Sequence, residues 1–283
     1  MTQPQRTRIR SLSRLSAVSL LSLGLVVAAS VTPATASPGA TPNGSAGGSY
    51  VAIGDSFTSG QGAAPYLEET CFQSLSGSYP TITANSSSYR EVLNFACSGE
   101  KTGQMLARVA LIDVRVKQKA SLVTLTVGGI DAGSNEVLAK CLSNPPLCTD
   151  ALLAAQANLP RVFENLVGTY TAVAAAFPKA RIVVLNYPQL LDSSVPVAIP
   201  VNAATDALNE VIRQAVVATR NPRVSLTDVT DEFAGHGIGS ATGSYISYNP
   251  ANPLDPANFH PNVLGNTAGY AAALRTDGAV RGR

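Results

Sequence analysis

Five short apolar runs, each about the length of one strand, recur along this chain. They are "YVAIG" (50–54), "EVLNFA" (91–96), "SLVTLTVGG" (121–129), "ARIVVLNY" (180–187) and "RVSLTDV" (223–229). Several are continuous rather than alternating in polarity, as expected for strands buried on both faces of a parallel sheet. The segments between them read as helices. Residues 150–177 form the longest, with Pro160 able to kink or split it. Residues 201–220 are the clearest amphipathic case, with Leu208, Val211, Ile212 and Ala215 on one stripe, and residues 263–275 close the domain. Strands alternating with helices specify an α/β fold with helices on both faces of the sheet.

Ahead of the first run lies an export signal. Arg6, Arg8, Arg10 and Arg14 form a basic region with no acid among residues 1–36. The apolar run 15–31 follows, then "PATAS" (33–37), which places Ala34 and Ala36 as a cleavage site before Ser37. The run is 17 residues long with four serines, shorter than the ~20 apolar residues a membrane span needs. Residues 1–36 are therefore read as a signal peptide, and the uncharged Pro/Gly/Ser-rich stretch 37–49 as a flexible linker. One domain is expected over 50–275, with a C-terminal tail over 276–283. The whole chain carries 20 Lys and Arg against 18 Asp and Glu, so losing the leader's four arginines leaves 16 against 18. No basic run, zinc-ligand spacing or aromatic-rich stretch suggests nucleic-acid binding. The mature chain is expected to be an extracellular monomer with no integral membrane segment.

The four cysteines, Cys71, Cys97, Cys141 and Cys148, all follow the leader. An even count in an exported chain reads as two disulfides, with three possible pairings. Cys71–Cys97 with Cys141–Cys148 is favoured, because the second pair brackets the Pro-rich turn "LSNPPL" (142–147). Loop entropy gives roughly 3.5 kcal/mol for the first and roughly 2.5 for the second. Metal ligation is weakly supported, with no C-x-x-C and two histidines in the chain.

In "YVAIGDSFTSGQGA" (50–63) a strand runs into a turn and then a helix, placing Ser56 at the carboxyl end of a strand, where doubly wound sheets bind ligands. A serine nucleophile needs a base and donors for the oxyanion it generates. The available histidines are His260, in a loop before the final helix, and His236, in a Gly-rich loop and read as an ordinary residue lining or bordering a cleft. Tyr187 reads equally as a wall of the site or as core packing. The apolar loop 193–200 reads equally as a lid or as a covered loop.

The blocks "GDSFTSG" (54–60), "ACSGEKTGQM" (96–105), "TVGGIDAG" (126–133) and "FHPNVLG" (259–265) occur in the order of the signature blocks of the GDSL, or SGNH, hydrolases. Over 50–275 the chain resembles the secreted, disulfide-bonded branch of that family, which includes actinobacterial extracellular lipases and esterases. The resemblance implies a three-layer α/β/α, flavodoxin-like fold around a parallel sheet of about five strands. It implies a serine ester hydrolase cleaving lipid or other small carboxylic esters through an acyl-enzyme, without metal or organic cofactor, and some secreted members of the family use a Ser–His dyad. Ser56 is then the nucleophile and His260 the base, with the N–H groups of Ser56 and Gly99 as oxyanion donors. Cys71 and Cys97 match a disulfide common in that branch.

Two departures qualify this. The third family block reads G-x-N-D, its asparagine supplying another oxyanion donor, whereas here it reads Gly128-Gly129-Ile130-Asp131. Loss of one such donor costs ~10²–10³ in turnover, so Ile130 points to a weakened oxyanion hole, or to a catalytically silent binding protein on the same fold. The family also places aspartate three residues before the histidine, where this chain has Ala257. A backbone carbonyl can orient an imidazole instead, and the carbonyl of Ala257 or Asn258 is expected to do so, with Asp255 and Asp228 as back-ups. A polysaccharide O-deacetylase would use identical chemistry, although a chain with no tryptophan and nine tyrosines offers little sugar-stacking surface.

Overall fold

In the computed structural model, which describes residues 48–89, 91–143 and 145–281, the first apolar run forms β1 (Ser49–Gly54), followed at once by the one-turn helix α1 (Ser56–Ser59). Helix α2 (Tyr79–Ser86) leads to β2 (Val92–Asn94), and α3 (Thr102–Leu111) with α4 (Val114–Lys119) leads to β3 (Ala120–Thr126). Then come α5 (Gly129–Ala132), α6 (Ser134–Ser143) and α7 (Pro145–Ala176), before β4 (Arg181–Leu185). The chain continues through α8 (Ala198–Ala218), β5 (Val224–Thr227) and α9 (Thr230–Phe233), and ends in a π-helical turn (Gly265–Tyr270) and α10 (Ala271–Thr276). The signal peptide over 1–36, and the linker over 37–49 except its last two residues, lie outside the described residues.

The strands pair in the order β2-β1-β3-β4-β5, every pairing parallel. This is the flavodoxin-like order 2-1-3-4-5. Alternate residues of each strand feed two separate cores, which explains the continuous apolar runs. Tyr50, Ala52, Leu122 and Val183 face Tyr79 of α2 and Leu274 of α10. Val51, Ile53, Val123 and Leu125 face Met105 of α3, Leu166 of α7 and Ile212 of α8. Helices thus cover both faces of the sheet. The edge strand β2 keeps three of the six residues in its run, all half-buried; short edges leave little unpaired backbone to template aggregation.

Helix α7 runs through Pro160 without a break. Pro160 is exposed, so water can satisfy the carbonyl its missing N–H leaves unpaired. Cys141 is bonded to Cys148, joining α6 to α7, and Cys71 to Cys97, tying the loop after α1 to the chain leaving β2. The apolar loop 193–200 forms a turn and the start of α8, with Val195 and Val197 packed on the core, Ser193, Ser194, Pro196 and Ile199 exposed, and the preceding Asp192 N–H donating to Ile238 O at 2.9 Å. The last residues are also held: Ala279 and Val280 are buried, and Val280 N–H donates to Leu274 O at 3.0 Å. The packed domain therefore reaches beyond the boundary expected at residue 275. No helix of the described residues is long and apolar enough to cross a membrane.

Candidate active site

The site begins where β1 ends. Gly54 has φ +130°, and a Cβ there would stand 2.3 Å from Thr126 O, so only glycine fits between β1 and β3 at this point. Asp55 caps α1, its Oδ1 accepting from Phe57 N–H at 3.0 Å and from the Thr126 hydroxyl at 2.6 Å. Its Oδ2 accepts from the Tyr187 hydroxyl. The Asp55 N–H donates to Thr126 O at 3.0 Å. Burial pushes the Asp55 carboxyl up to about 6, against the opposite pull of these hydrogen bonds. The turn that presents Ser56 is thus pinned to β3 on one side and to the chain beyond β4 on the other.

His260 arrives from the far end of the sequence. Gly62 makes room for it: φ is +99°, and a Cβ would lie 2.6 Å from Pro261 O and 2.9 Å from His260 Cβ. Phe259, next to the histidine, holds φ +64°, a conformation that costs a bulky residue about 1–3 kcal/mol and clusters at functional sites. Backbone hydrogen bonds on either side fix it, Phe259 N–H to Ser247 O and Ser247 N–H to His260 O, each 2.8 Å.

His260 Nε2 lies 2.9 Å from Ser56 Oγ, and Nδ1 lies 2.8 Å from Asn258 O. A carbonyl only accepts, so Nδ1 carries the hydrogen and Nε2 is left to accept from the serine hydroxyl. Burial lowers the imidazole to about 4, the Asn258 carbonyl pulling the other way. His260 also lines the cleft. Of the two expected carbonyls, that of Asn258 meets the ring, while Ala257 O accepts the His260 backbone N–H at 3.2 Å.

Neither back-up carboxylate faces the imidazole. Asp255 Oδ1 accepts from Ala257 N–H at 2.9 Å, and Asp228 Oδ1 accepts from Asn186 Nδ2 and from the Thr230 hydroxyl. Both stabilise turns. Asp255→Asn should therefore leave kcat/KM on an activated ester within a few-fold of the parent. A drop approaching the ~10⁴ caused by removing a triad carboxylate would assign Asp255 the orienting role.

Among the described residues, the N–H groups of Ser56 and Gly99 make no hydrogen bond. Gly99 follows β2, where Cys97 N–H donates to Gly54 O at 2.9 Å and Ser98 N–H to Cys71 O at 3.1 Å. It lies outside the lining of the cleft that holds Ser56 and His260. Ile130 is in that lining, as the second residue of α5. Its neighbours are anchored: Gly129 N–H donates to Tyr187 Oη at 3.1 Å, and Asp131 accepts from Thr102 N–H and hydroxyl at 2.9 and 2.7 Å.

The two sequence readings of Tyr187 are both realised. Its ring meets Phe57 edge-on at 5.1 Å and walls the cleft, while its hydroxyl bridges Gly129 and Asp55. Gln61 is a positioning residue that sequence reasoning missed. It is buried, accepts from the Ser98 hydroxyl and donates to Pro256 O, so it links the turn carrying Gly99 to the loop carrying His260. No local pattern marks such a residue, because both partners are remote in sequence. His236 is outside the cleft lining, stacked on Tyr245 at 3.9 Å with Nδ1 against Gly243 O. Among the described residues, no three His, Cys, Asp or Glu side chains converge as a metal site requires.

The cleft encloses about 670 Å³. Its walls are mostly apolar, including Phe57, Ile130, Leu138, Tyr187 and Tyr248, with Ser56 and His260 in the same lining and Ser134, Asn135, Ser143 and Thr205 among its further polar side chains. Large apolar concavities with a few placed polar groups are the usual form of small-molecule sites.

Over most of its length the chain is similar to known proteins. Lipase 1 of Streptomyces coelicolor is 30% identical over 266 residues, covering 90% of this chain and 95% of the relative. The crystal structure of an extracellular lipase from Streptomyces rimosus superposes with a TM-score of 0.72 at 29% identity, over 81% of this chain and 99% of that one. Phospholipase A1 from Streptomyces albidoflavus gives the same TM-score, identity and coverage. Residues 52–268, more than half of the chain, match the family described as GDSL-like Lipase/Acylhydrolase, and the chain belongs to that family.

Proposed function

We propose that this chain is an exported serine ester hydrolase that cleaves carboxylic esters of fatty acyl chains through a Ser56–His260 dyad. The observation that carries the reading is Ser56 Oγ at 2.9 Å from a His260 Nε2 whose other nitrogen is held by Asn258 O, at an apolar cleft of about 670 Å³. Ser56 Oγ attacks the ester carbonyl carbon as His260 Nε2 takes its proton. The N–H groups of Ser56 and Gly99 receive the oxyanion. Nε2–H then protonates the leaving alkoxide, and the alcohol departs from an acyl-enzyme. A water molecule, deprotonated by the same Nε2, hydrolyses that intermediate and regenerates Ser56. Throughout, the Asn258 carbonyl holds Nδ1–H and stabilises the imidazolium with a dipole instead of a charge. With Ile130 in place of an amide, the oxyanion has two backbone donors and turnover is attenuated.

The relatives named lipase, extracellular lipase and phospholipase A1 support lipid esters as substrates and export as the destination. The leader over 1–36 supports export independently. The cleft offers far more apolar room than an acetyl group needs, which favours acyl-chain hydrolysis over deacetylation of a polysaccharide.

The base works only when neutral. Because burial lowers His260 to about 4, activity should persist well below the ordinary imidazole range and be lost as pH falls through the depressed value. The check is kcat/KM for p-nitrophenyl octanoate across the acid and neutral range. An acid limb at or above the unperturbed imidazole pKa of roughly 6.5 would refute the buried neutral base. Absence of hydrolysis at every pH would refute the functional reading itself.

A further inference from the structure

We propose that a second apolar cavity, between α6, α7 and α8, receives the terminal segment of a long fatty acyl chain whose carbonyl lies at Ser56. The proposal rests on the ester-hydrolase reading and deepens it, because it makes chain length the determinant of specificity. The cavity encloses about 370 Å³. Leu152 and Leu159 of α7 and Val201 and Ala204 of α8 belong to its walls and not to the catalytic cleft. Ser134, Leu138, Leu190, Thr205 and Leu208 border both spaces. The cavity therefore adjoins the catalytic cleft across this shared wall, and the proposed path takes the acyl chain from one to the other past Leu138 and Leu208.

Its chemistry selects the ligand. No charged side chain lines it, and its polar side chains are Ser134, Gln156 and Thr205. A sugar or a phosphate-bearing headgroup seated there would lose water without gaining matched partners, whereas an alkyl chain has no polar group to satisfy. The space exists because α8 presents Ala203, Ala204 and Ala207 to it, where larger side chains would close the gap between α7 and α8. Each methylene transferred from water into such a lining is worth roughly fourfold in affinity. Chains long enough to pass Leu138 and Leu208 gain that increment, and chains held within the catalytic cleft do not.

Ala204→Phe, which fills the cavity from α8, provides the test, read as the ratio of kcat/KM for p-nitrophenyl hexadecanoate to that for p-nitrophenyl butanoate. Displacing two or three methylenes should lower this ratio by at least about tenfold. An unchanged ratio would overturn the proposal. Phenylalanine can also disturb the contact between α7 and α8, so a milder variant gives a second reading. In Ala204→Cys the introduced thiol is chemically distinct, since no cysteine among the described residues is free. Its rate of reaction with a maleimide is measured after Ser56 has been capped with a butyl or a hexadecyl fluorophosphonate. Slower labelling under the hexadecyl group supports the proposal, and equal rates under both groups overturn it. If Ser56 takes neither phosphonate and no ester is cleaved, the ester-hydrolase reading fails first, and the outcome is distinct from hydrolysis without chain-length dependence.

Discussion

Ser56→Ala is expected to abolish hydrolysis of p-nitrophenyl esters, with a loss of at least about 10⁴ in kcat, since removing the nucleophile of a serine hydrolase leaves only what the oxyanion donors and substrate binding supply. The substitution should not disturb the fold. Ser56 Oγ meets His260 Nε2, whereas the turn is held by Asp55, Thr126 and Tyr187, none of which bonds to that oxygen. A thermal melt close to the parent's is therefore expected alongside the lost activity. The parent should also take up a fluorophosphonate at Ser56, and the variant should not. Parent-like turnover in a purified, folded variant would remove Ser56 from the mechanism.

The second large effect is a gain. Ile130→Asn should raise kcat by up to ~10²-fold, because an amide donor to the developing oxyanion is worth about that much when correctly placed. The backbone is prepared for it. Gly129 on one side is tied to Tyr187, and Asp131 on the other to Thr102, so the first turn of α5 is fixed whatever side chain stands between them. The gain falls short of its ceiling if the apolar wall around residue 130 leaves the amide unsupported. The measurement is the ratio of kcat values on one activated ester, with KM little changed, because the interaction exists only in the transition state. A fast parent enzyme slowed by the substitution would show that residue 130 does not face the oxyanion. If neither protein turns over and Ser56 resists the fluorophosphonate, the chain is a binding protein on a hydrolase fold.

What the sequence alone determined follows from demands that are local. A parallel strand covered on both faces must be apolar along its length, so β1, β3, β4 and β5 are readable as runs. Their α/β alternation then requires a layered sheet. A nucleophile turn needs glycine where β1 meets β3, and a base needs histidine, of which the chain holds two; Ser56 and His260 could thus be nominated from residue types and block order. Helix α2 could not be read in the same way, because "YPTITANS" carries no apolar stripe and becomes helical by packing Tyr79 beneath the sheet.

The tertiary structure decided the contacts made across long separations. The choice of Asn258 over Ala257 depends on the strained φ of Phe259, which turns the intervening backbone. Tyr187 reaches Asp55 across 132 residues of sequence, and Gln61 reaches Pro256 across 195. A hydrogen bond is set by distance and angle within a few tenths of an ångström, and periodicity along the chain carries no such information. The same holds for the space between α6, α7 and α8: three alanines in a helix read as ordinary helix formers until the neighbouring helix shows that they leave a cavity.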